Sequence, residues 1–121
     1  MSNYDLLRYA GDWPEFLGVF SRDRLPAKVL RGSGILNLDD SSGPVTHWTA
    51  WYGDTYFDSY GLPPPEEFLD RVGGATVFYN DLEIQRFTDP PFCGHLCLAF
   101  LEHARSGKKA VDFVTDLFRL Q

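Results

Sequence analysis

The sequence predicts an α+β domain, and three observations lead there. Short aromatic and β-branched runs, divided by Gly, Asp and Ser turn signals, fill much of residues 13–60 and recur at 75–80. Two amphipathic helical patterns close the chain at 93–107 and 108–120. Hairpin-linked strands and helices are therefore segregated along the chain rather than alternating as βαβ units. The 121 residues, 44% hydrophobic and 16% aromatic, are expected to form one domain, 1–121, with an ordinary core.

The elements follow in order. YDLLRY (4–9) reads as a short helix ended by Gly11. WPEFLGVF (13–20) is strand-like, and SRDRLPAK is a polar turn in which Pro26 prevents continuation. GSGILNLDDSSGP (32–44) holds a short buried strand, Ile35 to Leu38, between glycines and Asp/Ser turn residues, Asp39 and Asp40 among them. THWTAWY (46–52) is the next strand. Alternation puts His47, Thr49 and Trp51 on one face and Trp48, Ala50 and Tyr52 on the other. Gly53-Asp54 reads as a tight hairpin turn into TYFDSYG (55–61).

LPPPEEFLDRVG (62–73) reads as a helix started by proline, with Glu66 and Glu67 complementing the dipole of its first turn. ATVFYN (75–80) is a strand, and QRFTDPPF (85–92) a loop broken by two prolines. In CGHLCLAFLEHARSG (93–107), Cys93, Leu96, Cys97, Phe100, Leu101 and Ala104 share one apolar face, and Gly107 is a stop. KKAVDFVTDLFRL (108–120) carries a stripe of Val111, Val114, Leu117 and Phe118.

Composition narrows the function classes. A net charge of −6, with scattered basic residues, disfavours strong binding to nucleic acid. No apolar run is long enough to span a bilayer, so no membrane partner is expected, and the first residues lack the apolar core of a signal peptide. A reducing intracellular compartment is the expectation. Walker and dinucleotide-binding glycine patterns are absent. The two cysteines, Cys93 and Cys97, fall on one face of a helix, where a disulfide is awkward. A metal pair with His95 or His103 lacks the four well-spaced ligands of a structural zinc site, so no metal and no cofactor is expected.

Cys93 is the residue that most needs a reason. It stands at the start of an apolar helix, where free N–H groups and the dipole stabilise a thiolate and a developing oxyanion. Gly94 beside it lets a substrate backbone approach. The plainer reading is a small buried hydrophobe at a helix end. Of three histidines, His95 points away from the cysteine and His103 lies more than two turns along the axis. His47, distant in sequence, suits the spatial pairing of cysteine and base; it also reads as a core histidine among Trp48, Trp51 and Tyr52. Asp58, on the strand paired with that of His47, can orient the imidazole, or can be a turn cap before Ser59 and Gly61. Gln85, eight residues before Cys93, can donate its amide to an oxyanion, or be a solvated loop residue.

The ordered set His47, Asp58, Gln85, Cys93-Gly94 resembles the adenovirus-type endoproteases (adenain) and the related proteases of Polinton/Maverick-like DNA elements. The similarity runs through THWTAWY, TYFDSYG, Gln85 and FCGHLCLAFL, and takes in YDLLRYAGDWPEFLGVFSRDRLP and GILNLDDSSGPVTHW. It implies a papain-like fold of the adenain and SUMO-protease type, a central, mostly antiparallel sheet with flanking helices. It implies Cys93 as nucleophile, His47 as base, Asp58 as its orienter, and Gln85 with the Cys93 amide as oxyanion hole. Trp48 matches the family's tryptophan beside the histidine and would wall the site. The implied substrates are polypeptides, viral capsid or core precursors, cut after small residues in the host cytoplasm or nucleus or in the virion.

Three departures stand. The acid is Asp where the adenovirus enzymes carry Glu, the chain is shorter, and both cysteines lie in the nucleophile helix. An activating peptide stays open, a disulfide-linked one is disfavoured, and the family's DNA cofactor does not carry over to an acidic chain. Two alternatives remain: an isopeptidase for ubiquitin-like modifiers, which needs a broad modifier-binding surface, and a non-catalytic, protease-derived virion module.

Overall fold

The computed structural model describes residues 3–38, 47–84 and 93–119. The chain forms α1 (Asn3–Ala10), β1 (Phe16–Ser21), β2 (Ser33–Asn37), β3 (Trp48–Tyr52), β4 (Thr55–Phe57), α2 (Glu66–Val72), β5 (Phe78–Tyr79), α3 (Cys93–Ala104) and α4 (Ala110–Arg119). The five strands form one sheet in sequence order. This is an α+β fold with a mixed sheet. β2–β3 and β3–β4 pair antiparallel, whereas the outer pairs, β1–β2 and β4–β5, are parallel.

The parallel outer pairs correct the expectation of a mostly antiparallel sheet, and the connections give the reason. A parallel pair needs a crossover that carries the chain back along the sheet. Residues 22–32, which include most of the polar turn expected at 21–28, are that crossover. They wind through two 3₁₀ turns (Arg22–Arg24 and Val29–Arg31) and bury Leu25 and Val29. The second crossover contains α2. Between β3 and β4 a two-residue turn suffices, and Gly53 supplies the positive φ (56°) that its first position requires.

Strand alternation divides the core into two layers. Ile35, Trp48, Ala50 and Phe57 face α1, α3 and α4, where Phe57 stacks on Phe100 (5.2 Å) and meets Phe113 edge-on (5.3 Å). Leu36, Trp51 and Tyr56 face the other way, onto Phe68 and Val72 of α2 and the buried crossover residues. The Trp51 indole N–H donates to the Val29 carbonyl (2.8 Å), and its ring lies over Gly34, where a Cβ would collide with it. The expected split of Thr49 and Trp51 from Trp48, Ala50 and Tyr52 is therefore observed.

Several boundaries differ from expectation; β4, expected to run into Gly61, ends at Phe57 and leaves Asp58 just past the strand. α2 begins at Glu66, not within the proline run, because each proline holds its predecessor extended; Pro65 is its N-cap and Gly73 (φ 67°) its left-handed C-cap. The strand expected over 75–80 pairs only at Phe78–Tyr79. On α4 the buried stripe is Ala110, Phe113 and Val114, with Leu117 half-buried, while Val111 is 50% exposed. The large Phe113 ring, locked against Phe57 and Phe100, sets the helix phase. Phe118 of the expected stripe, Asp39, Asp40 and the loop 85–92 lie outside the described residues or side chains.

Candidate functional site

The site forms where α3 begins over one end of β3. α3 packs along β3 through Cys97, Phe100 and Leu101, so its first residue, Cys93, arrives at the strand's first residue, Trp48. The Trp48 amide donates to Cys93 Sγ at 3.5 Å. His47 precedes the strand by one residue, and its main chain is pinned by the Leu38 N–H donating to the His47 carbonyl (3.1 Å). Position in the sheet thus delivers His47 to the helix start.

Asp58 follows the last residue of β4 and is fully buried. Its Oδ1 accepts from His47 Nε2 (2.8 Å) and from the Tyr60 amide (2.8 Å), while Oδ2 has no hydrogen-bond partner among the described residues. The Tyr60 ring stacks on His47, with centroids 4.2 Å apart and planes 14° from parallel. The other imidazole nitrogen, Nδ1, is buried and meets no partner in full hydrogen-bond geometry among the described residues; Cys93 is the neighbour besides Asp58 that acts on the ring. Imperfect hydrogen-bond geometry is common between a resting thiol and its base.

The charges reinforce one another. For His47, burial opposes the charged ring, but the hydrogen bonds to Asp58 and Cys93 and the negative charge of both outweigh it; its pKa is pushed up from 6.5 to about 9. For Cys93, burial raises the thiol. The hydrogen bond to His47, the Trp48 amide, the imidazolium charge and the Gly94 amide overcome that, and the pKa falls below its usual value. A thiolate–imidazolium pair, with Asp58 behind the imidazolium, is the state these shifts favour. Cys97, fully buried one turn on, is driven the other way by burial first, then by the charges of Cys93 and Asp58.

The structure brings together Cys93, His47 and Asp58, with the amides of Trp48 and Gly94 on the sulfur. Gln85 lies outside the described residues. Trp48 is 4% exposed and packs in the core beneath α3, so what it gives the sulfur is its main-chain N–H. Gly94 is buried in the first turn of α3. His95 is exposed, and His103 turns to α4, 3.6 Å from Asp116. Among the described residues no cluster of three or more His, Cys, Asp or Glu could hold a metal ion, and no helix is long and apolar enough to cross a membrane.

Sequence reasoning missed two residues. Tyr60 covers His47 with its ring, and Asn80, fully buried, holds the main chain of Asp58. Tyr60 had a readable signal, an aromatic two residues beyond a candidate carboxylate. Asn80 had almost none, since it read only as the last residue of the strand expected over 75–80. No protein-family model matches the sequence, and no curated protein matches it.

Proposed function

We propose that this protein is a cysteine endopeptidase in which Cys93 is the nucleophile, His47 the acid–base and Asp58 the group that orients His47. One observation carries the reading: the first residue of a buried helix is an acidified thiol beside an imidazole whose far nitrogen is held by a buried carboxylate at 2.8 Å. Placing a nucleophile, its base and the base's orienter in this sequence of contacts is the general signature of covalent acyl transfer.

The chemistry follows from the geometry. The Cys93 thiolate adds to the scissile carbonyl, and the oxyanion that forms is stabilised by the Cys93 amide at the helix start, joined in this reading by Gln85. Collapse expels the amine, which takes the proton from His47, and leaves a thioester on Cys93. Water, deprotonated by His47, then adds to the thioester, releases the carboxylic acid and returns the proton to the Cys93–His47 pair. Asp58 accepts from Nε2–H throughout, which keeps Nδ1 turned to the sulfur.

We read the fold as papain-like, of the adenovirus-endoprotease type. The support is the placement of the cysteine on a helix laid over the strand that begins just after the histidine, together with the ordered motifs of the sequence. On that reading the substrates are viral capsid or core precursors, met in the host cytoplasm or nucleus or in the virion. The test is cleavage of a peptide library by the protein and by Cys93→Ala, read by mass spectrometry. Cut sites that vanish in the variant are expected; cleavage that persists, or a wild-type protein that cuts neither peptides nor folded precursors, would overturn the reading.

A further inference from the structure

Asp58 lies beyond the regular sheet. The last β3–β4 pair is Ala50 with Phe57, and the last β4–β5 pair is Tyr56 with Tyr79. The next main-chain groups, the N–H and C=O of Asp58, lie past the end of the described ladder with β5. They are not orphaned, because the Asn80 side chain takes the place of that strand. Its Oδ1 accepts from the Asp58 amide (3.1 Å), and its Nδ2 donates to the Asp58 carbonyl (2.6 Å) and to the Leu82 carbonyl (3.3 Å). Both amide hydrogens and the amide oxygen are used, and the residue is 0% exposed.

The geometry points to Asn80 as a positioning residue that fixes the Asp58 carboxylate against His47 by clamping the Asp58 main chain. This inference rests on the Cys93–His47–Asp58 reading above and adds the element that keeps that set in register. The pairing of Phe78 and Tyr79 brings Asn80 to the correct height, and the amide then continues the ladder one step with side-chain atoms. The Asp58 carbonyl also accepts from the Gly61 amide (2.9 Å), so the clamp and the turn after Asp58 share one acceptor. Losing the clamp frees the main chain that aims Oδ1, while leaving Cys93, His47 and Asp58 chemically intact. The titratable groups acting on His47 are Asp58 and Cys93, with the Tyr60 ring stacked on it, so a change at Asn80 reaches His47 through Asp58.

The experiment is an NMR titration of the His47 ring, which needs no substrate. Two full-length variants are compared with wild type: Asn80→Ser, which lets water enter the vacated space, and Asn80→Leu, which fills it with apolar atoms. The expected result is a fall in the His47 midpoint of about one pH unit, a tenfold loss of proton affinity. In an Asp58→Asn background Asn80→Ser is expected to move it no further. An unchanged midpoint in a folded variant, an equal shift in the Asp58→Asn background, or an ordinary midpoint in wild type each overturns the inference. Amide exchange in the wild-type protein covers the case in which neither variant folds. The Asp58 amide should exchange as slowly as the amides within β3, and rapid exchange rejects the clamp. A wild-type protein that cuts no substrate, yet shows the raised His47 midpoint and its loss in Asn80→Ser, would remove the protease reading and leave the clamp standing.

Discussion

Cys93 and Cys97 stand one turn apart on the same face of α3, at 4% and 0% exposure, and both are free thiols. Burial pushes each of them up. At Cys93 the rise is reversed by neighbours that belong to its place in the fold: the imidazole of His47, the Trp48 amide at the start of β3 and the Gly94 amide of the first helical turn. At Cys97 burial dominates, and the charges that act on it, those of Cys93 and Asp58, push the same way. Residue type and burial are nearly the same. What differs is one turn of helix, about 5 Å, between the end of a sheet and its middle. The acidity of each thiol follows from its place on the helix rather than from residue type.

The sharpest way to break the comparison is to exchange the roles of the two thiols. Cys93→Ala should reduce peptide cleavage by at least about 10⁴-fold, as loss of a covalent nucleophile does. In the wild-type protein near neutral pH, iodoacetamide should modify Cys93 at least about 100 times faster than Cys97, read by peptide mapping. Equal rates at the two positions would mean that the neighbours of Cys93 do not acidify it, and the proposed chemistry would lose its basis.

Asp58→Asn weakens the comparison from behind. The isosteric amide no longer stabilises the imidazolium and can turn either atom to Nε2, so kcat/KM should fall by roughly 10²- to 10⁴-fold. The pH profile carries the sign. The active pair needs Cys93 deprotonated and His47 protonated. Activity should therefore rise with pH through the lowered Cys93 pKa and fall again as His47 loses its proton near 9. Without the carboxylate, the His47 pKa drops and the alkaline limb moves to lower pH. A limb that stays in place in Asp58→Asn would show that Asp58 is not what holds the His47 proton.

The distinction between readable and unreadable parts of this site has a physical basis. Cys93, His47 and Asp58 could be grouped from sequence because each carries a chemical demand: a thiol at a helix start, a histidine in an aromatic strand, an acid among Tyr56, Phe57 and Tyr60. The strand faces were legible because period two leaves little freedom once Trp48, Ala50 and Trp51 are placed. Parallel pairing at both edges was not, because it depends on where chain segments distant in sequence come to rest. The phase of α4 was ambiguous for a local reason. Val114 and Leu117 belong to both candidate stripes, and only the Phe57–Phe100 stack decides that Phe113, not Val111, turns inward. Asn80 was hidden because its role depends on two backbone groups of Asp58, and backbone groups leave no mark on composition.

A smaller effect separates the ring of Tyr60 from its main chain. The amide bonds Asp58 whatever the side chain is, so Tyr60→Ala keeps that bond and removes the stack on His47. An aromatic pair of this kind is worth about 0.5–1.5 kcal/mol, which predicts roughly a two- to tenfold loss in kcat/KM. Tyr60→Phe, which keeps the ring, divides the loss between stack and hydroxyl, and a rate near wild type assigns it to the stack. Loss in both variants would place the hydroxyl, not the stack, at the centre of the effect.

The smallest expected change lies at Cys97, and it closes the comparison from the other side. Its thiol fills space against Phe100, Leu101 and the sheet without a hydrogen bond to defend, so Cys97→Ala removes one buried sulfur and leaves a small cavity. The cost should be roughly 1 kcal/mol in a denaturant melt, with cleavage unchanged. Cys97→Ser should be worse for stability, by about 1–3 kcal/mol, because it takes a hydroxyl out of water. If Cys97→Ala instead slowed cleavage tenfold while the melt barely moved, the second turn of α3 would be communicating with Cys93. The division between an active helix start and an inert helix body would then have to be redrawn.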